Sequence, residues 1–238
     1  MKILILKKIK AALLVIDLEN GFVRSESSHV INTAAASLPA CEQVIQLSRK
    51  KGLPVFFIKR IYRQNGSDVE LTRWQAWING GKAMTPASKG AISAEVPETV
   101  KPKPGDYTII KPRWSAFFQT ELDLILRRLG ISTVVLIGTT TPNCIRTTAY
   151  DAIALDYEVV IVEDCCSSQT PEIQKANIDD LQRIGCMIID SENYCHNLPQ
   201  LPCQDWLKKI RADMNKNNNL PEPFEDLGEG GTGWIDRW

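Results

Sequence analysis

Thr133-Val134-Val135-Leu136-Ile137-Gly138-Thr139-Thr140-Thr141-Pro142-Asn143-Cys144 is the stretch on which the reading of this chain turns. Its first five residues form an unbroken apolar run rich in β-branched side chains, as expected of a parallel strand covered on both faces. A glycine and threonine turn follows, and Pro142 suits the start of a helix. The next residues, Ile145-Arg146-Thr147-Thr148-Ala149-Tyr150-Asp151-Ala152-Ile153-Ala154, carry a helical pattern.

Outward from that stretch the β-α alternation repeats. Apolar runs at 12–16, 53–58, 107–110, 158–162 and 187–189 read as further strands. Helical patterns lie between them. Residues 34–51 end at Gly52, a natural C-terminal stop. Residues 120–129 place Leu122, Ile125, Leu126 and Leu129 on one face, with Thr120 as N-cap and Gly130 beyond. Residues 171–184 end at Gly185 in the same way. Six strands with intervening helices predict an α/β fold, a three-layer doubly wound arrangement around a six-stranded, mainly parallel sheet.

Polar residues stand where three of those strands end. Asp17 closes the run 12–16, Lys111 follows Ile109-Ile110, and Cys144 follows the turn after Ile137. Ligands bind at strand ends in open α/β sheets. A carboxylate, an ammonium and a thiol meeting there make a nucleophilic site. A free thiol has a pKa of about 8.5, and both a nearby lysine and a helix N-terminus favour the thiolate. Cys144 is expected in the first helical turn, where unpaired N–H groups point outward. Burial in a core is the commonest fate of a free cysteine. For Cys144 the turn before it argues against a plain packing role.

Composition removes other classes. The 238 residues suffice for one large α/β domain, and 28 basic against 28 acidic side chains leave no net charge. No basic block stands out that would track nucleic acid. The first ten residues are too lysine-broken for a signal peptide, and no apolar run approaches the roughly 20 residues that span a bilayer. The odd cysteine count, seven, fits a reducing cytoplasm. No Gly-x-Gly-x-x-Gly follows the first strand, and no Cys-x-x-Cys occurs. The only histidines are His29 and His196, which excludes a His-rich metal site. Cys165-Cys166 falls just past a strand run and reads as packing.

The chain divides into a domain over 1–196 and an extension over 197–238. Inside the first, residues 60–103 hold Trp74, Trp77, Gly80-Gly81, Pro86 and Pro97 with little periodicity. Such insertions are usually lids or binding loops, and an Ω-loop closed on its own aromatic residues is the alternative. The strand-end start favours a lid. The extension is rich in asparagine and glycine, for which disorder is the default reading, but it ends in Trp234-Ile235-Asp236-Arg237-Trp238, and two tryptophans there make docking onto a neighbouring subunit the alternative.

Three blocks in order carry a resemblance: Leu14-Val15-Ile16-Asp17-Leu18-Glu19-Asn20-Gly21-Phe22, Lys111-Pro112-Arg113-Trp114-Ser115-Ala116-Phe117-Phe118 and Gly138-Thr139-Thr140-Thr141-Pro142-Asn143-Cys144. With them the chain, over roughly 10 to 195, resembles the isochorismatase-like cysteine hydrolases, which include nicotinamidases, N-carbamoylsarcosine amidases, and ureidoacrylate and biuret amidohydrolases. The resemblance implies an Asp17-Lys111-Cys144 triad. It also implies a cis peptide between Thr139 and Thr140 that shapes an oxyanion hole from the backbone N–H groups of Thr140 and Cys144.

Departures from the family narrow this. Many members have glutamine where Glu19 stands. The nicotinamidase Asp-x-His-x-x-His metal motif is absent from residues 59–68, so neither metal nor other cofactor is expected. Asp68 and Glu70 are expected to be solvated. True isochorismatases lack the cysteine, so Cys144 favours amide chemistry. The second block resembles the branch acting on ureido or carbamoyl compounds, an argument by analogy. The expected partner is a small amide or ureide, with no nucleic acid and no membrane, in a cytoplasmic homo-oligomer (dimer or tetramer). Glu19, Phe22, Arg60, Trp77, Ser115 and Phe117 are the candidates for holding its non-reacting end, with Arg63 as a further possibility. The rivals are an isochorismatase-type or nicotinamidase-type hydrolase and a non-catalytic oligomeric module.

Overall fold

Ala11–Ile16 (β1) is a strand with every residue buried. An element buried on both faces must sit mid-sheet, and its neighbours show that it does. In the computed structural model, which describes residues 10–198 and 212–213, β1 pairs on one side with Val55–Arg60 (β2) and on the other with Thr133–Thr139 (β4). Tyr107–Lys111 (β3), Glu158–Ser167 (β5) and Met187–Ile189 (β6) complete a six-stranded sheet in the order β3-β2-β1-β4-β5-β6, every pairing parallel. The chain winds from β1 out to β3, then returns across β1 to β4 and onward. The crevice where that direction reverses lies between β1 and β4, the usual ligand position in such sheets.

Helices cover both faces. Ala34–Lys50 (α2) follows a short turn of helix, Asn20–Val23 (α1), and ends before Gly52, whose φ of 73° suits glycine. Leu122–Arg128 (α4), Arg146–Ala154 (α5) and Pro171–Arg183 (α6) contribute Leu122, Leu126, Ala149, Ala152, Ile178 and Leu181 to a core against Leu14, Ile16, Leu136 and Ile161. Ser191–Asn197 (α7) is tied to α2 by a 2.7 Å hydrogen bond between Ser48 Oγ and Tyr194 Oη. Thr170 caps α6 by accepting from the Ile173 N–H, with Pro171 beginning the helix.

Several boundaries differ from expectation for local reasons. β2 starts at Val55 because the Leu53 N–H turns back to the Ser48 carbonyl of α2, and it runs on to Arg60 through pairing with β3. Glu121 holds the N-cap position of α4 without a side-chain bond to the helix, while the Thr120 hydroxyl donates to the Ala116 carbonyl and accepts from the Leu122 N–H. β5 extends to Ser167, so Cys165 and Cys166 lie inside the strand and not beyond it. Cys165 meets Cys41 of α2, whose Sγ lies 3.4 Å from its carbonyl oxygen, and Cys166 joins the core on the other face.

Residues 61–106 hold Trp74–Asn79 (α3) and three short 3₁₀ turns around their own cluster of Tyr62, Val69, Trp77, Ala83 and Met84. The Trp77 indole N–H is spent on the Ala83 carbonyl at 3.0 Å. The segment is closed on its own aromatic residues, as an Ω-loop is, and also forms one wall of the cavity described below. The chain divides into compact units over 1–202 and 203–238. In the second, only Ala212 and Asp213 are described, both helical and exposed. The tail with its two tryptophans, docked or not, and the first nine residues lie outside the described residues.

Candidate active site

Gly138 brings β1 and β4 together at the crevice. Its φ is 118°, and a Cβ there would stand 2.0 Å from the Ile16 carbonyl oxygen. Only glycine fits. One residue beyond Ile16, Asp17 adopts a φ of 50° while its N–H holds the Ile58 carbonyl at 2.9 Å. A non-glycine residue in that region is uncommon and strained, and such strain gathers at functional sites. The Thr139–Thr140 peptide is cis. After it, Thr141–Ile145 winds as a single π-helical turn before α5 begins at Arg146. Cys144 therefore sits in that turn and not in the α-helix, a wide-turn geometry frequent at functional sites.

The structure brings Asp17, Lys111 and Cys144 together, at 1 %, 0 % and 5 % exposure. Lys111, the last residue of β3, donates to Asp17 Oδ2 at 2.7 Å, to Cys144 Sγ at 3.5 Å and to the Arg113 carbonyl at 3.1 Å. Three acceptors match the three protons of an ammonium. A buried ion pair is costly unless its remaining donors are satisfied in this way. Asp17 Oδ1 is buried and takes no share of the Lys111 ammonium, and the Cys144 thiol lies within interaction range of the same carboxylate.

Burial first, and then the negative charge of Asp17, pushes the Cys144 thiol up to about 11, although Lys111 and Arg60 pull it down. Cation and turn are present as expected, but enclosure outweighs them.

Cys144 and Thr140 open onto a cavity of about 350 Å³, whose walls include Phe22, Arg60, Tyr62, Trp77 and Trp114. That is room for a small molecule. Of the expected substrate contacts, Phe22, Arg60 and Trp77 line it. The other three do not. Glu19 is fully buried, its Oε1 accepting from the Arg60 backbone N–H at 2.7 Å. Ser115 turns its own chain by accepting from the Phe117 N–H, and Phe117 stacks on Tyr157 with centroids 5.8 Å apart.

Sequence reasoning missed the partners of Arg60. Its Nη1 donates to Glu70 Oε1 at 2.6 Å and to Tyr62 Oη at 2.9 Å, and Tyr62 donates in turn to Glu70 Oε2 at 2.9 Å. Glu70, expected in solvent, is 7 % exposed. Burial would raise its carboxyl, but Arg60 and the hydrogen bonds around it hold it below the usual value. An arginine ending an apolar strand was the available signal, since a buried guanidinium demands a counter-charge. Among the described residues no group of three or more His, Cys, Asp or Glu side chains is placed to hold a metal ion. No helix among them is long and apolar enough to cross a membrane.

A doubly wound parallel sheet with a thiol at its switch point, backed by a buried lysine–aspartate pair, defines a class of α/β proteins with a polar crevice at the strand ends. The particular family is also clear: the chain matches the isochorismatase domain over residues 11–193 and belongs to the isochorismatase family of hydrolases. A protein of Arabidopsis thaliana named "probable inactive nicotinamidase" is 38 % identical over 73 % of this chain and 89 % of its own length. The ureidoacrylate amidohydrolase of Yersinia enterocolitica is 28 % identical over 78 % of this chain and 88 % of its own. Among solved structures, an isochorismatase family protein from Desulfovibrio vulgaris matches with a TM-score of 0.73 at 33 % identity, covering 86 % of this chain and 99 % of the other. The N-carbamoylsarcosine amidase of Thermoplasma acidophilum matches with a TM-score of 0.63 at 31 % identity, covering 77 % and 97 %.

Proposed function

We propose that this hydrolase is a cysteine-dependent amidohydrolase that cleaves a C–N bond of a small amide, ureido or carbamoyl compound through a thioester. The observation that carries this reading is the Lys111 ammonium donating at once to Asp17 and to Cys144 Sγ. With the thiol protonated at rest, attack requires a proton acceptor at contact range, and the Asp17 carboxylate is the neighbour that interacts with the thiol. Asp17 takes the thiol proton as sulfur bonds to the carbonyl carbon, and Lys111 stabilises the thiolate as it forms. The backbone N–H groups of Thr140 and Cys144 receive the developing oxyanion, a contribution of about 3–4 kcal/mol per donor. Collapse breaks the C–N bond, and Asp17 returns its proton to the leaving amine. The same carboxylate then activates water to hydrolyse the thioester. Amidohydrolases among the relatives support the reaction type, and a relative named as inactive makes the chemical test necessary.

That test is ammonia release from a panel of small amides, ureides and carbamoyl compounds. Turnover of at least one is expected, with Cys144→Ala reducing it by about 10⁴-fold or more and Cys41→Ser leaving most of it. Substantial turnover in the alanine variant would remove Cys144 from the chemistry. No turnover across the panel would favour the non-catalytic reading.

A further inference from the structure

Gly80 ends α3 with a φ of −80°, a conformation open to any residue. Space, and not the backbone, calls for glycine there. A Cβ would stand 2.4 Å from His29 Cε1 and 2.7 Å from Ser28 Oγ. The 61–106 segment thus leaves a seat for the His29 imidazole, and both His29 and Ser28 line the cavity onto which Cys144 opens. The chemistry proposed above uses neither residue.

Counting protons fixes the form of the ring. Ser28 Oγ lies 3.0 Å from His29 Nδ1 and 3.3 Å from the Gly80 carbonyl oxygen. A carbonyl only accepts, and a hydroxyl has one proton to give. Both contacts are satisfied together only if Ser28 donates to Gly80 and accepts from an Nδ1–H. Burial first, and then the positive charge of Arg73, lowers the His29 pKa and keeps the ring neutral at neutral pH. A neutral ring with its proton on Nδ1 presents a bare lone pair at Nε2, and that nitrogen has no partner among the described residues. Gln169 also lines the cavity but is spent: its Oε1 accepts from the Asn32 N–H and its Nε2 donates to the Val30 carbonyl.

A lone pair at Nε2 turns away an anion, and the charge of Arg73 in the same lining turns away an ammonium. We propose that His29 Nε2 is a specificity-determining acceptor for a neutral N–H or O–H donor on the part of the substrate that does not react. The substrate class is then a small amide or ureide that carries a second, uncharged amide nitrogen or a hydroxyl. That the bound compound is hydrolysed rests on the amidohydrolase reading, whereas the acceptor itself does not.

The chain has only two histidines, so magnetic resonance of the full chain labelled with ¹⁵N-histidine separates their ring nitrogens, with His29→Gln assigning the signals. The wild-type protein is expected in the Nδ1–H form at neutral pH. The probes are ω-hydroxyalkanamides of increasing length and their methyl ethers, which keep the oxygen and lose the donor. They are added to Cys144→Ala, in which no thioester forms. A hydroxy compound of fitting length should shift the His29 Nε2 signal saturably, and its ether should bind about five- to tenfold more weakly, one hydrogen bond's worth. Gly80→Ala in the same background crowds the ring without removing an acceptor and should erase that difference. A difference that survives it would place the acceptor elsewhere.

An Nε2–H ring in the wild-type protein overturns the proposal, because that nitrogen then donates. So does equal binding of every hydroxy compound and its ether, as a ring serving packing alone would give, or an Nε2 signal that responds to none of them. These results do not depend on whether the Gly80 variant folds. Ammonia release from the amide panel without any hydroxy preference would leave the amidohydrolase reading standing and overturn this one. Hydroxy preference at Nε2 without ammonia release from any compound would do the reverse.

Discussion

Two sides of the site are held by different physics. On one, Cys144 lines the cavity with Asp17 and Lys111 behind it, all at strand ends: Asp17 is fixed by β1 and its bond to Ile58, Lys111 by its pairing with Arg60, and Cys144 by the turn leaving β4. The other is the 61–106 segment, where short helical turns gather around Trp77 and no strand occurs. A parallel ladder sets positions through regular hydrogen bonds, so the reacting groups inherit the sheet's rigidity. A loop closed on a small core sets positions only through packing. The difference teaches that Asp17, Lys111 and Cys144 are positioned by the sheet, whereas the residues facing them across the cavity are positioned by a separately packed segment. Arg60 belongs to both, as the last residue of β2 and the anchor for Glu70.

The harshest way to break the first side is Gly138→Ala. A methyl group 2.0 Å from the Ile16 carbonyl oxygen, at a φ of 118°, cannot be accommodated without parting β1 from β4. A loss of more than about 4 kcal/mol is expected, on the scale of the most damaging single substitutions. Chemical denaturation would read it, and a change under 1 kcal/mol would show that the strand ends can move apart freely.

Trp77→Ala attacks the second side. Removing a buried tryptophan costs about 3–5 kcal/mol, and the comparison predicts where the loss appears. Hydrogen exchange should accelerate across 61–106 while the amides of β1 and β4 keep their protection, as local units open independently. Uniform acceleration over both sides would mean that they form one cooperative body.

How much of this the sequence discloses follows the same division. The inner strands β1, β2, β4 and β5 are legible because burial writes continuous apolar runs, the half-buried edges β3 and β6 only as short runs rich in isoleucine, and Asp17, Lys111 and Cys144 are legible because polar residues stand at or just past the ends of such runs. The sheet order and the position of Ile16 against Gly138 come from pairing between distant segments, which no local pattern records. Ser115 and Phe117 misled because they adjoin Lys111 in sequence, yet the chain turns at Ser115 and carries Phe117 to Tyr157. Glu70 was hidden for the opposite reason. Its partner is ten residues away across an aperiodic loop, and a carboxylate in such a loop looks like a solvated one.

Glu19→Gln asks how tightly the junction between the sides is drawn. Burial first, then the charge of Asp17, raises the Glu19 carboxyl from 4.5 to about 8. Between those values the unfolded chain has released the proton while the folded chain retains it. Stability therefore falls as pH rises from about 4.5 and levels off near 8. Glutamine keeps an acceptor for the Arg60 N–H and cannot ionise. The variant should match the wild type near pH 4.5 and exceed it by up to roughly 4 kcal/mol near pH 8. Urea denaturation at both ends checks this, and parallel pH profiles would show that Glu19 is already ionised in the fold.

The smallest effect sharpens the comparison most, because it weighs one side against the other at a single atom. Lys111 and Arg60 both pull the Cys144 thiol down from the height that burial and Asp17 impose, and Lys111 contributes the larger part. Lys111 lies on the sheet side, 3.5 Å from the sulfur, with its charge aimed at it. Arg60 stands 4.0 Å away and has Glu70 beside it. Removing a cation raises a thiol pKa, so Lys111→Met should move the alkylation profile with neutral iodoacetamide further to alkaline pH. At a fixed pH below the wild-type midpoint, that slows modification by about tenfold, one pKa unit. Arg60→Gln/Glu70→Gln removes a compensated pair and should move the profile less. A larger shift from the Arg60 pair than from Lys111 would reverse the division of labour: the loop-anchored charge, and not the sheet, would then govern the nucleophile.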